Sequence, residues 1–149
     1  MATTIGTEDN IRDLVRNLIL LEHDAIAAYE STIERLSDPA LSSQVESFRQ
    51  DHLQHLEVLR EMAAETGVDA PAEGDMKQIL TTGKIALADL FGDGAILKAM
   101  ATNENDTVTA YERASAHPDA IDRSRAFFGK AHADELRHRE WMQRTAETL

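Results

Sequence analysis

The sequence predicts an all-α fold, an antiparallel four-helix bundle in one domain spanning residues 1–149. Three observations predict it. Apolar residues recur at spacings of three and four along four long segments, the signature of helices with one buried stripe. No stretch sustains the period-two alternation of a half-buried strand. One two-helix unit occurs twice: residues 22–30 and 104–112 share five of nine positions, namely Glu22/Glu104, Asp24/Asp106, Ala28/Ala110, Tyr29/Tyr111 and Glu30/Glu112. Each copy is followed by a related pentad, 51–55 (DHLQH) and 134–138 (DELRH).

The first helix is expected over about 8–36, capped by Thr7, with Glu8 and Asp9 favouring the positive end of the helix dipole. Its stripe is Ile11, Val15, Leu18, Ile26, Tyr29, Ile33 and Leu36, widened by Leu14 and Ile19, and its one polar member is Glu22. Asp38 and Pro39 are a cap and a first-turn residue, so the second helix is expected over 39–66, ending at Gly67. Its seam runs Leu41, Val45, Phe48, His52, His55, Leu59, Met62. Residues 67–75 read as loop. A short amphipathic helix is expected over 76–91, inside a connection long enough to cross back along the bundle. The third helix, about 94–116 with Asp93 as cap, has the seam Leu97, Met100, Glu104, Val108, Tyr111. The fourth, about 118–147 and opened by Pro118, has the seam Ile121, Ser124, Phe128, Ala131, Glu135, His138, Met142.

A net charge of −12 excludes an ordinary nucleic-acid partner, which needs a basic face, and disfavours anionic membrane surfaces. With no cysteine, disulfides, thiolate zinc sites and iron–sulfur clusters are excluded. No signal peptide or membrane span is visible, so the cytoplasm is the expected compartment. Leu14, Ile19 and Leu56 widen their seams, which leads to the expectation of a homodimer.

Function is to be sought in the seams. Glu22, His52, His55, Glu104, Glu135 and His138 are ionisable residues in apolar stripes, and such groups must be partnered or bound to metal. At about 1.5 Å rise per residue, Glu22 lies roughly 21 Å before the end of the first helix and His52 roughly 18 Å after the start of the second, so a hairpin brings them level. Residues three apart share a helix face, so one metal can meet both members of His52-x-x-His55 or of Glu135-x-x-His138. Carboxylate and imidazole without thiolate suit iron or manganese and also accept zinc. The competing reading is a metal-free polar network that fixes helix register. Glu30, Glu112, His23 and His132 are expected at the surface, and His117 in the last turn between helices. Asp51 and Asp134 lie just off the seam, as surface residues or as partners of the ligands.

The pattern of a Glu on two helices and Glu-x-x-His on another resembles the ferritin-like di-iron carboxylate superfamily, which includes rubrerythrins, bacterioferritins and ferritins. The resemblance covers about residues 8–148. It implies that Glu22, Glu104, Glu135 and His138 are ligands, and that the hydroxyls of Tyr29 and Tyr111 bond ligand carboxylates across the bundle. The departure is His52, where the superfamily has Glu; only three carboxylates then face two divalent ions. The resemblance implies two iron ions reacting with dioxygen or peroxide, in iron handling or oxidative-stress defence. The alternative is a bundle that lost its metals and serves as a structural or interaction protein. A monooxygenase acting on an organic substrate would need an apolar cavity beside the metals.

Overall fold

The computed structural model describes residues 3–71 and 90–149. Among the described residues four helices are formed: α1 (Ile11–Arg35), α2 (Pro39–Thr66), α3 (Asp93–Ser115) and α4 (Asp122–Thr148). Among the described residues there is no strand, and no helix is long and apolar enough to cross a membrane. The short helix expected over 76–91 falls almost entirely outside the described residues.

Helices α1 and α2 form one hairpin and α3 and α4 the other, with α1 against α3 and α2 against α4. The side chains give the directions. Tyr29 reaches Glu104 and Tyr111 reaches Glu22, so α1 and α3 run antiparallel. His55 meets Asp134 and His138 meets Asp51, so α2 and α4 do as well. Two apolar clusters divide the core. One contains Leu14, Leu18, Leu59, Met62, Ala114 and Phe128; the other contains Tyr29, Val45, Phe48, Leu97, Met100 and Met142. The ionisable seam residues form a layer between them.

The start of α2 follows its local signals: the Asp38 side chain accepts from Ala40 N at 2.9 Å and Pro39 occupies the first turn. Gly67 closes α2 in the left-handed region, φ +76, where a side chain would be strained. Two other starts are displaced. Thr7 spends its hydroxyl on Thr4 O in a turn of its own, and Asn10 caps α1 instead, accepting from Asp13 N. Pro118 lies in a turn closed by Ala120 N donating to His117 O, and α4 begins only at Asp122. There Ser124 Oγ accepts from Ile121 N at 2.9 Å. The segment before α1 is held against α3. Arg113 donates to the Thr3 and Ile5 carbonyls, and its stem lies where a Cβ on Gly6 would have to go.

Leu14, Ile19 and Leu56 are all buried within this single chain. The stripe on which the expectation of a homodimer rested is therefore part of the chain's own core. Residues 18–26 of α1 are buried without interruption, so the helix is covered on every side over that stretch.

Asp93, expected as the cap of α3, is instead its first helical residue after Gly92, and its side chain ties the two hairpins together. It accepts from Ser37 N, Ser37 Oγ and Asp38 N at 2.8–3.1 Å. Those hydrogen bonds, chiefly the one from Ser37 N, hold its carboxyl below its ordinary pKa. A lowered folded-state pKa stabilises above the unfolded value and is lost as pH falls through the folded one. Asp93→Asn should therefore cost about 1 kcal/mol at neutral pH, allowing for solvent screening. The gap to the unsubstituted protein should be full at neutral pH and narrow as pH falls below the ordinary aspartate range. Urea unfolding across pH 2–7 measures both.

Candidate metal centre

All six ionisable seam residues meet in the middle of the bundle, each no more than 2 % exposed. The heptad-like spacing turns them inward, and the two short hairpin turns bring them level. Glu135 sits at the centre. Its Oε1 is 3.4 Å from His55 Nδ1; its Oε2 is 3.5 Å from His52 Nε2 and 3.5 Å from His138 Nδ1. Glu22 Oε1 lies 3.5 Å from His55 Nδ1, and Glu104 Oε1 lies 3.9 Å from His52 Nε2. These separations are too long for good hydrogen bonds. They are the spacing of donors around one ion, since two ligands each about 2.1 Å from a metal in tetrahedral array stand about 3.4 Å apart. Two overlapping groups place their donor atoms within 4.8 Å of one another and could hold a metal ion: Glu22, His52, His55, Glu135, and His52, Glu104, Glu135, His138.

Around this layer the hydrogen bonds are short and reciprocal. His55 Nε2 donates to Asp134 Oδ2 at 2.8 Å, and His138 Nε2 donates to Asp51 Oδ2 at 2.8 Å. Each carboxylate lies on the helix opposite its imidazole. Arg137 donates to both Asp51 and Asp134, and Lys130 donates to Asp134, so neither acid is unbalanced. The Tyr29 hydroxyl donates to Glu104 Oε1, and the Tyr111 hydroxyl donates to Glu22 Oε1 at 2.7 Å. His52 Nδ1 meets Glu22 Oε2 at 2.8 Å. With each outer imidazole nitrogen anchored on an acid, His55 Nδ1 and His138 Nδ1 are the ring nitrogens that face the centre, the latter also 3.4 Å from the Tyr29 hydroxyl.

Without metal, protons do the neutralising. Burial pushes Glu22 and Glu135 up, but the His52 imidazole, joined at Glu22 by His55, outweighs it and holds both below the carboxylate range. Burial, followed by the charge of Glu135, lifts Glu104 well above that range. Burial lowers His52 and His55, yet the carboxylates win: His52 is raised by Glu135 and Glu22, and His55 is pushed up to about 12 by Glu22, Asp134 and Glu135. Burial and the facing glutamates keep both tyrosines far above 10, as permanent donors.

Four polar atoms in this layer are buried with no hydrogen-bond partner: His52 Nε2, His55 Nδ1, and both oxygens of Glu135. All four point inward. A small cavity of about 10 Å³, room for one water-sized molecule, reaches Glu104 between α1 and α3, bordered by Ala25, Ala28 and Asn103.

Some participants were not singled out from the sequence. Thr107 donates to Glu104 Oε2 at 2.7 Å; its position three residues after Glu104 on the same face was the available signal. Arg137, three residues after Asp134, was another. His23, expected at the surface, is buried with Nε2 donating to Pro71 O at 3.2 Å, because α1 is covered all round at that level. His117 is buried too, bonding Glu8 O at 2.7 Å. Glu30 and Glu112 are exposed, and His132 is half-buried.

Fold and layer together define the class: a four-helix protein with a buried His/Glu cluster that could bind metal. The chain belongs to the DUF2383 family, described as a domain of unknown function, whose model matches residues 10–117. The match ends at the α3–α4 turn, so Glu135 and His138 lie beyond it. Among solved structures, the chain resembles the crystal structure of a conserved hypothetical protein, rv2844, from Mycobacterium tuberculosis. The TM-score is 0.73 at 19% identity, covering 88% of this chain and 92% of that one. At that identity the likeness concerns the fold. No curated protein matches the chain.

Tyr111→Phe and Tyr29→Phe each remove one donor from a buried glutamate with little change of shape. Each should lower unfolding free energy by about 1–3 kcal/mol. Urea denaturation of metal-free protein provides the measurement.

Proposed function

We propose that the protein is a ferritin-like, non-haem metalloprotein. Its buried layer would hold two iron ions and act on dioxygen or peroxide, in iron handling or oxidative-stress defence. One observation carries this reading: four inward-facing polar atoms are buried without a hydrogen-bond partner, although every outward-facing imidazole nitrogen of His55 and His138 has one. A network built only to fix register would satisfy its central atoms as well as its outer ones.

The residues fit the group. Glu22, His55 and Glu135 Oε1 would hold one ion; Glu104, His138, His52 and Glu135 Oε2 would hold the other. Asp51, Asp134, Tyr29 and Tyr111 would orient them. Manganese or zinc would suit the same donors. Two ferrous ions held together supply electrons to an oxidant when bound. The chain's own contribution is a deeply buried site, ligands aimed by fixed hydrogen bonds, and permanent phenol donors on two glutamates. The cavity reaching Glu104 admits a water-sized molecule, which favours a small oxidant over an organic substrate.

Elemental analysis of protein from iron-supplemented cells, beside Glu135→Gln, tests the reading. About two metal ions per chain, lost in the variant, is the expected result. No metal in either protein would sink it and leave the register-fixing network. Because His55 and Glu104 hold protons where metal would bind, binding must expel them. Affinity should therefore rise between about pH 5 and 8, with proton release detectable by calorimetry in buffers of different ionisation enthalpy.

A further inference from the structure

We infer that the two metal positions are unequal, and that His52 makes them so by serving only one of them. The inference rests on the metal-binding reading above and goes beyond it. A neutral imidazole carries one N–H and one lone pair. On His52 the Nδ1 side faces Glu22 Oε2 at 2.8 Å, hydrogen-bond distance from a carboxylate that must be ionised to ligate. The proton therefore belongs on Nδ1, and the lone pair belongs on Nε2. That atom is buried, has no hydrogen-bond partner, and faces Glu135 Oε2 at 3.5 Å and Glu104 Oε1 at 3.9 Å.

The donors then divide unevenly. The position beside Glu135 Oε2 has four: Glu104, Glu135, His52 Nε2 and His138 Nδ1. The position beside Glu135 Oε1 has three: Glu22, Glu135 and His55 Nδ1. Charge divides the same way. Glu104 and Glu135 neutralise the first divalent ion. The second finds only Glu22 still unspent, leaving an excess positive charge in a buried layer. A glutamate at 52 could bridge both positions and cancel that excess; a histidine cannot. The first ion thus binds tightly among Glu104, Glu135, His52 and His138, and the second binds weakly beside Glu22 and His55.

Cobalt(II) titration followed by visible absorption tests this without any assay of activity. The expected curve for the unsubstituted protein has two phases, the second at least about ten-fold weaker. Glu22→Gln should keep the tight phase and lose the weak one. Glu104→Gln should lose the tight phase. Should Glu104→Gln fail to fold, the curves of the unsubstituted protein and Glu22→Gln still decide. Two equivalents taken up with equal affinity, or loss of the tight phase in Glu22→Gln, would overturn the inference while leaving metal binding intact. No cobalt uptake by the unsubstituted protein would overturn both.

Discussion

Burying ionisable groups in an apolar bundle is tolerable only if every charge is answered nearby. Here the answer comes from across the bundle. Asp51 on α2 anchors His138 on α4, and Asp134 on α4 anchors His55 on α2. Tyr29 on α1 holds Glu104 on α3, and Tyr111 on α3 holds Glu22 on α1. These four reciprocal bonds hold the helices in register while aiming lone pairs at the centre. The apolar clusters above and below then exclude water, which makes each misplaced charge in the layer more costly. Packing and site geometry are consequently one constraint. A shift of one helical turn that improved the core would break the layer.

The same coupling extends to the surface. Asp51 and Asp134 are partly exposed, and Arg137 bridges them between α2 and α4. Arg137 also stands 5.8 Å from the Phe48 ring centroid, and Phe48 stacks on His138 at 4.3 Å. A single arginine thus supports both acids and the aromatic shelf beneath one imidazole. At the bundle's end, Asp93 does comparable work with backbone donors, fixing how one hairpin sits on the other.

Much of the architecture was legible because helical periodicity is local. The seams of four helices, except for Ile121, which is exposed because α4 begins only after it, the Asp38–Pro39 start and the Gly67 stop follow from short windows of sequence. The level of Glu22 against His52 follows from helical rise alone. The helix starts at Thr7 and Pro118 misled because turns can use the same residues, and a turn spent both signals before the helix began. His23 misled because a single apolar stripe implies a solvated opposite face, whereas α1 is covered on all sides at the level of His23. The crossing Asp–His pairs were least legible. Each joins a seam histidine to an acid just off the seam about eighty positions away, and which ring nitrogen faces inward is set by that distant partner rather than by spacing.

The swapped anchoring bears on how such a chain arises. Neither hairpin contains a complete aspartate–imidazole pair or a complete glutamate–phenol pair of this layer; each supplies one half and receives the other. A lone ancestral hairpin of this kind would have had an unfinished interior and would have completed it by pairing with an identical copy. Duplication and fusion of the gene would make that pairing permanent and release the halves from identity. The contrast between His52 and Glu135, at corresponding places in the two pentads, is what such freedom would permit.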